Sequence, residues 1–489
     1  MTFREKDCEP DIDPDGFFDA LSNQPMDFQD ALAELIDNSI SASIEGPDYF
    51  EEDQPEDIAP ENPDQNFRIQ ITIIRDGDTV EVIVADSGEG MTFDLIDEHL
   101  LSSGDTSQST GILNEHGFGL KNALSVLTGN NTDSGFKIIS RVEENPDKVT
   151  ILDGPFPEAT LKEKEYEESR ELWNEGTETI ADPRFGTRIR FETDWSLFQS
   201  AYPRAGSLDK ICYGLREHLG VMYRHFLKTE SNQIVLNWSE KGTEEKGSKE
   251  VKPIFPEFRE GEEELEDGTK RDYYEVDKLK VRDEDGQPHT VIYRRGIVDW
   301  DKTRESYNHS NLAINSEKGK SPFRIYYRKN QTTQGLDIVY LGRTINTSLM
   351  EEIWDQIPTD GEGFDSITTH NSYNSFVGEL IILSEDFETV NNKIGINPNS
   401  ELWNDLKQKL NEKEEFHPRK RGDEEVERDK KKRLKTHLQD DETTSNVTEE
   451  SGDTKWGVSP DLVRELESGN EYLYELKRGK AKPKTSTSA

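Results

Sequence analysis

The sequence has few cysteines, no long apolar run and far fewer basic than acidic residues. Its 489 residues include two cysteines, Cys8 and Cys212, so a disulfide framework is excluded and a reducing cytoplasm is expected. No run approaches the roughly 18 apolar residues that a membrane helix needs. The charged N-terminal stretch MTFREKDCEPD contains no apolar signal core. We therefore expect a soluble cytoplasmic protein with no membrane partner.

Acidic residues dominate the charge. Lys and Arg number 59 against 102 Asp and Glu, which gives a formal net charge of −43, and hydrophobic residues make up 31%. Such a balance is typical of disorder, but the acidic residues lie between well-patterned apolar segments such as FRIQITIIRDGDTVEVIVADSG. A folded protein with an acidic surface fits better. We expect a halophile-type adaptation, because a Debye length of about 3 Å at 1 M salt screens self-repulsion; an acidic binding surface is the alternative.

Composition and periodicity divide the chain into three expected parts, residues 1–194, 195–413 and a charged, partly disordered or helical tail over 414–489. The local patterns predict helices, hairpin strands around the Asp76-Gly77 turn, a later strand and an acidic insertion. These elements are, in chain order, the helix Pro25–Ser43, the strands Phe67–Ile74 and Thr79–Ala85, the helix Gly117–Leu127, the insertion at about 156–184, and the strand Phe323–Arg328.

A carboxylate and a carboxamide one helical turn apart form the first chemical motif, Glu34-Leu-Ile-Asp37-Asn38. Residues at this spacing share one helix face, here opposite the leucines. The Asn38 amide oxygen would suit Mg²⁺, which prefers oxygen ligands. Glu34 could polarise an attacking water as a general base. The competing interpretation is a solvated polar face on an amphipathic helix.

A second motif, Asp86-Ser-Gly88-Glu-Gly90-Met91, follows a predicted strand directly. Glycines let a backbone approach a ligand closely, and an Asp at a strand end can accept a hydrogen bond from an exocyclic amine such as that of adenine. An ordinary glycine-rich turn between strand and helix is the alternative.

Two further glycine motifs follow along the chain. His116-Gly117-Phe118-Gly119-Leu120-Lys121-Asn122 opens a predicted helix, where free backbone N–H groups and the Lys121 charge would favour phosphate. Gly186-Thr187 opens a predicted strand, from which the hydroxyl could reach a base or a bridging water. Each signal alone is modest.

In this order and context, the four motifs resemble the ATP site of the GHKL superfamily. The resemblance implies an α/β fold: a Bergerat ATP-binding α/β sandwich (the histidine-kinase-like ATPase fold), followed by a ribosomal-S5-like transducer domain and the charged C-terminal tail. It also implies a mobile lid over about 102–116, ATP and Mg²⁺ as cofactors, Glu34 as catalytic base and Asn38 as metal ligand. The residues that it assigns to the nucleotide are Asp37, Asn38, Asp86, Gly88, Gly90, Met91, Gly117, Phe118, Gly119, Leu120, Lys121 and Thr187.

Within the superfamily, the run GFFDALSNQPMDFQDALAELIDNSISAS looks particularly like the MORC branch. Later segments, YRHFLK, IVLNW, FRIYYRK and GLDIVYLGRTI, resemble a MORC transducer domain. In this superfamily a transducer lysine commonly reaches the γ-phosphate, which makes Lys393, in Thr389-Val-Asn-Asn-Lys393, the second catalytic candidate. A solvated surface lysine is the alternative, and the following Ile-Gly-Ile-Asn departs from the family pattern.

Three functions compete for this pocket. A MORC-like or MutL-like ATPase would form an ATP-dependent homodimer and act on DNA, although DNA binding normally requires clustered Lys and Arg. Basic runs occur at Pro418–Arg421 and Arg428–Lys435, with a solvated charged helix as the alternative. A protein clamp or chaperone would use the same pocket on an unknown protein partner. A sensor kinase is not expected, since no His precedes Glu34, and His218 and His225 are expected to be structural.

Overall fold

The computed structural model describes residues 26–419, with gaps at 45, 47–48, 54–56, 63, 101–112, 114–118, 130–134, 156–157, 176–183, 265–267, 269, 310–324, 329–330, 355–356, 359–363, 366–372 and 391–394. All of these described residues belong to one compact unit, residues 1–420, and a second unit comprises 421–489. Among the described residues, no helix has the length and apolar character needed to cross a membrane.

Nine α-helices and nineteen strands lie in the described part of the chain, together with two 3-10 helices, Gln331–Thr333 and Glu414–Phe416. The helices are α1 (Phe28–Ser41), α2 (Phe93–Leu95, continued by a π-helical turn Ile96–Leu100), α3 (Gly119–Leu127), α4 (Tyr166–Asn174), α5 (Trp195–Ser200), α6 (Leu208–Met222), α7 (Arg224–Leu227), α8 (Trp300–His309) and α9 (Glu401–Glu412). The strands of the first half are β1 (Phe50–Asp53), β2 (Asp57–Pro60), β3 (Arg68–Asp76), β4 (Thr79–Asp86), β5 (Phe136–Arg141), β6 (Lys148–Asp153), β7 (Thr160–Glu165), β8 (Gly186–Asp194), β9 (Gln233–Glu240) and β10 (Lys246–Glu250). Those of the second half are β11 (Glu262–Glu264), β12 (Lys270–Asp272), β13 (Tyr274–Arg282), β14 (Pro288–Ile297), β15 (Gly335–Tyr340), β16 (Arg343–Leu349), β17 (Ile357–Pro358), β18 (Phe364–Asp365) and β19 (Phe376–Ile382).

An eight-stranded mixed sheet with the order β10-β9-β3-β4-β8-β5-β6-β7 forms the first half of the fold. Strands β3 and β9 run parallel, whereas β3 and β4 form a tight antiparallel hairpin. At the hairpin turn Gly77 has φ +62°, a left-handed conformation that suits glycine. The hairpin predicted around Asp76-Gly77 is confirmed, and so is the coarse prediction of a mixed α/β fold.

A second sheet of five strands has the order β13-β14-β19-β15-β16. Strands β15 and β19 run parallel, and the other neighbours are antiparallel. Every residue of β15 and of β19 is buried. Near-continuous apolar runs are what strands covered on both faces require, so β15 and β19 lie inside the protein, whereas the edge strand β13 has exposed residues.

Helices cover both faces of the first sheet, with more helices on one face than on the other. Helix α1 packs against α3, β4, α5 and α6, and its apolar residues join a core cluster that continues into the second sheet. On the other face, α4 places Trp173 against Ile139 and Ile151 of β5 and β6. Because neighbouring strand residues point to opposite faces, β5 and β6 contribute side chains to both hydrophobic clusters.

Two sequence predictions bear on these elements. The segment at about 156–184, predicted as an acidic insertion, contains strand β7 and helix α4. The strand predicted over Phe323–Arg328 is wrong in its described part, since Ile325–Tyr327 form bends. The Glu217 Oε1 atom accepts the backbone N–H groups of Ile325 and Tyr326 at 2.6 and 2.8 Å, in place of a neighbouring strand.

The domain boundaries near 195 and 414 stay predictions. The first sheet continues past 195, because β9 and β10 are two of its strands. An S5-like character of the second sheet likewise stays a prediction.

The turn between β15 and β16 is held by an aromatic residue of β1. Gly342 has φ +84°, and a Cβ at this position would stand 1.9 Å from Cε2 of Phe50. The Phe50 ring lies edge-on to Tyr49 and to Phe226, with both centroid distances at 4.8 Å. This turn leads directly into Arg343, so β1 helps to fix where β16 begins.

We expect Gly342→Ala to destabilise the protein more than Gly286→Ala. Gly286 has a similar φ of +77° but no atom within 4 Å of its Cβ position, so that variant pays only about 1 kcal/mol of backbone strain. At Gly342 overpacking against Phe50 adds about 1–3 kcal/mol. Chemical denaturation of the two variants measures the difference, and equal losses would contradict the contact with Phe50.

Candidate functional site

Helix α1 buries the first motif. The Glu34 side chain is 2% exposed and Asp37 is completely buried, although both are acidic. The apolar neighbours Leu32, Leu35 and Ile36 also lie in the core, so α1 is buried on more than its apolar side. Buried carboxylates are costly without compensation, which excludes the interpretation of this motif as a solvated polar face.

Asp86, the last residue of β4, joins the second and fourth sequence motifs to helix α1 through its carboxylate. Oδ1 accepts the N–H groups of Gly88 at 3.0 Å and of Thr187 at 2.9 Å. Oδ2 accepts the Ser39 hydroxyl, from α1, at 3.1 Å. Burial raises the pKa of Asp86, while the Arg188 charge and these donors lower it. One carboxylate thus fixes the end of β4, the start of β8 and the side of α1.

Glycines allow the backbone segments around Asp86 to approach closely. A Cβ at Gly88 would stand 2.7 Å from the Ala42 carbonyl oxygen, and one at Gly90 would stand 2.4 Å from the Arg141 carbonyl oxygen. Gly186 has φ +117°, and its Cβ would lie 2.4 Å from the Asp86 carbonyl oxygen. The Met91 N–H completes the turn by donating to the Ser140 hydroxyl at 2.6 Å. The turns therefore depend on glycine at these positions.

Helix α3 begins against the Glu34 carboxylate. A Cβ at Gly119, the first residue of α3, would stand 2.5 Å from Glu34 Oε2. Leu120 is half-buried, and Lys121 is buried with an ammonium pKa that desolvation lowers. The first and third motifs are thereby brought into contact, as a nucleotide site built from both would require.

Two side chains from beyond the first 200 residues compensate the charge on α1. Arg343 Nη1 lies 2.7 Å from Asp37 Oδ2 and 3.7 Å from Glu34 Oε1. The Tyr223 hydroxyl lies 2.8 Å from Asp37 Oδ1 and 2.9 Å from the Ala33 carbonyl oxygen. Burial alone would lower the pKa of Arg343, but the field of Asp37 outweighs it and raises that pKa. The second sheet therefore contributes a cation to the first motif.

The structure brings most of the predicted site residues together. Glu34, Asp37, Asn38, Asp86, Gly88, Gly90, Met91, Gly119, Leu120, Lys121 and Thr187 all lie on α1, α3 or the turns at the ends of β4 and β8. Gly117, Phe118 and Lys393, together with most of the predicted lid, lie outside the described residues. The binding and catalytic roles of all the predicted site residues stay predictions.

Sequence reasoning missed several contributors: Ser39, Ser140, Arg188, Tyr223 and Arg343. Ser39 follows Asn38 directly and could have been included in the first motif. A lone arginine in the apolar hairpin GLDIVYLGRTI was also a signal, since a charge in such a run needs a partner. The identity of that partner was not readable from the pattern.

Residues 26–150 match the family described as "Histidine kinase-, DNA gyrase B-, and HSP90-like ATPase". A search of curated proteins found no match. Among solved structures, the "Crystal Structure of N terminal domain of a DNA repair protein" aligns at 12% identity and TM-score 0.38, covering 81% of this chain and 96% of that chain. The coarse prediction of a GHKL-type ATPase domain is confirmed by the family match, which includes every motif except Gly186-Thr187.

Removing the Arg343 charge should destabilise the protein strongly. Arg343→Met leaves two buried carboxylates without their cation, a change that costs about 3–5 kcal/mol. The double variant Arg343→Met/Asp37→Asn should recover part of this loss, because one of the two charges disappears. Lys241→Met provides the control: its pair with Asp76 is 62% and 64% exposed, so water screens the pair and the loss of stability should be small. Urea denaturation that ranks the two single variants equally would contradict this role of Arg343.

Asp30 lies one helical turn before Glu34. Its titration should make the stability of the fold depend on pH in the acidic range. Burial raises the pKa of Asp30 to about 6, against the lowering effect of Arg343. Its folded pKa lies above its unfolded value, so stability is fully present below about pH 4 and falls as pH rises to about 6. Relative to Asp30→Asn, the free energy of unfolding of the wild type should fall by up to about 1.4 kcal/mol for each unit of pH rise in this window. Parallel denaturation curves for both proteins across pH 4–7 would contradict the assignment.

Proposed function

We propose that the chain binds ATP with Mg²⁺ between α1, the turn after β4 and the start of α3, and hydrolyses the ATP with Glu34 as general base. The observation that carries this proposal is the Asp86 carboxylate, which accepts hydrogen bonds from Ser39, Gly88 and Thr187. This buried carboxylate lies at a strand end, is held by three donors and is flanked by glycine turns. It is therefore suited to accept a hydrogen bond from the exocyclic amine of a nucleobase. The family match over residues 26–150 supports the same conclusion.

The residues around Asn38 fit a magnesium ion. The Asn38 amide nitrogen is buried and has no hydrogen-bond partner in the described part of the chain. The carboxamide of Asn38 offers one neutral oxygen, and Mg²⁺ takes few protein oxygens beside phosphate and water. When bound, Mg²⁺ neutralises charge on the phosphate oxygens. In this proposal Asn38 is its protein ligand.

Glu34 takes the proton of the attacking water. Its Oε1 atom faces Arg343 at 3.7 Å, whereas Oε2 lies against Gly119 at the start of α3. Backbone N–H groups at such a helix start favour anions, so phosphate would lie on the Oε2 side. We assign proton transfer to Oε2, with Arg343 orienting the carboxylate from the other side. Lys393 is proposed to contact the γ-phosphate, on the basis of the family resemblance alone.

The finer proposal is an ATP-gated homodimer of MORC or MutL type that acts on DNA. It rests on the resemblance of residues 16–43 to the MORC branch, and the contact of Arg343 with α1 offers a path from the nucleotide to the second sheet. The net charge of −43 favours the alternative, a protein clamp without a nucleic-acid substrate. ATP turnover measured with and without duplex DNA separates the two, because only the first is expected to respond.

We expect Glu34→Gln to bind ATP but to release phosphate about 10²–10⁴-fold more slowly than the wild type, because a general base contributes about this factor. Steady-state phosphate release with Mg-ATP in molar KCl is the measurement, alongside a binding assay. Glu192→Gln, which changes an exposed carboxylate on β8, is the matched control and should retain full turnover. Equal turnover in Glu34→Gln and the wild type would remove Glu34 as the base.

A further inference from the structure

Arg188 follows Thr187 on β8 and points to the opposite face of the sheet. Its guanidinium is 1% exposed and lies 3.8 Å from the centroid of the Trp173 ring of α4. Nη1 donates to the Asp86 carbonyl oxygen at 2.7 Å and to the Thr187 carbonyl oxygen at 3.0 Å. A buried cation thus lies next to Asp86, the residue that the proposed site uses to bind the adenine base, on the opposite face of the sheet.

The burial of this cation is costly. Two of its donor atoms, Nε and Nη2, are buried without a hydrogen-bond partner among the described residues. Within the same residues, no carboxylate oxygen lies within 4 Å of the guanidinium. Burial lowers the pKa of Arg188 to about 10, and the field of Asp86 opposes this shift. Arg188 therefore remains charged near neutral pH, and its main electrostatic partner is Asp86.

Asp86 depends on that charge in turn. Burial raises its pKa, and Arg188 is the largest influence in the opposite direction. The group that α1 presents to Asp86 is the uncharged Ser39 hydroxyl, and the remaining contacts are the N–H groups of Gly88 and Thr187. Arg141 of β5 acts on Arg188, whose pKa it lowers. In the described part of the protein, Arg188 is the cation that favours the ionised form of Asp86.

We propose that Arg188 is a positioning residue that sets the purine selectivity of the nucleotide site by acting through Asp86. This inference rests on the proposed function. Adenine presents a 6-amino donor, whereas guanine presents the O6 acceptor at the corresponding position. An ionised carboxylate only accepts hydrogen bonds, so it favours adenine and repels O6. A protonated carboxyl group can donate to O6, so loss of the Arg188 charge admits guanine.

The test compares Arg188→Met with Arg188→Lys. Methionine keeps an unbranched apolar chain beside Trp173 but removes the charge, whereas lysine retains the charge. Equilibrium binding of ATP and GTP is measured from pH 5 to pH 9, with folding checked by circular dichroism. In Arg188→Met, the pH at which ATP preference is lost should move upward by about 1–3 units relative to the wild type, because an adjacent Arg lowers a carboxyl pKa by about this amount. Arg188→Lys should stay close to the wild type.

A purely structural role for Arg188 would weaken ATP and GTP binding in parallel and leave their ratio unchanged at every pH. That result would overturn the inference while leaving the proposed function in place. If the wild type binds neither nucleotide, the proposed function fails; if it binds both equally, the assignment of Asp86 to adenine fails, and the inference fails with it. Should Arg188→Met not fold, Arg188→Gln replaces it with the same expected shift.

Asp86→Asn provides an independent check of the link. Asparagine can donate and accept but does not titrate in this range. The ATP-to-GTP ratio of this variant should be lower than that of the wild type and constant from pH 5 to pH 9. Adding Arg188→Met to Asp86→Asn should then leave the ratio unchanged, because the residue through which Arg188 acts no longer ionises. A further change in the ratio of the double variant would contradict action through Asp86.

Discussion

Helix α1 carries carboxylates into the interior, and the surrounding structure compensates their charge. Its leucines and isoleucines pack in the core, which leaves Glu34 and Asp37 to face other buried elements. A buried carboxylate costs several kcal/mol unless a cation or a donor lies beside it. Arg343 and Tyr223 provide that compensation from outside the first 200 residues. The integrity of the candidate site therefore depends on the docking of the second sheet against α1.

Two adjacent residues connect helix α1 with the second sheet, one by a hydrogen bond and the other by ion pairs. Tyr223 reaches Asp37 on α1, while Arg224 reaches Asp337 of β15 and Glu379 of β19 at 2.9 and 2.5 Å. All of these side chains are buried, so water screens their charges little. A shift of α1 would disturb Tyr223 and Arg343 together. This arrangement gives the proposed nucleotide site a direct physical connection to the second sheet.

Much of the candidate site can be predicted from local sequence patterns. The helix bearing Glu34, the tight hairpin and the position of Asp86 at a strand end all depend on residues close in sequence, and periodicity reports such interactions well. Strand alternation likewise implies that Thr187 and Arg188 face opposite sides of the sheet. The strand predicted over Phe323–Arg328 failed for a long-range reason: Glu217, about a hundred residues earlier, accepts the backbone N–H groups that a strand partner would need.

The sequence alone determined which residue types are available and which local elements carry them: an acidic helix, a strand ending in Asp86, and glycines at the turns. Only the tertiary structure decided which distant charges meet. The pairing of Arg343 with Asp37 and the placement of Trp173 over Arg188 join residues that no periodic pattern relates. The physical reason is that hydrophobic patterning specifies which faces are buried, without specifying their partners. The partners follow from how whole elements dock, where each buried charge must find its compensation.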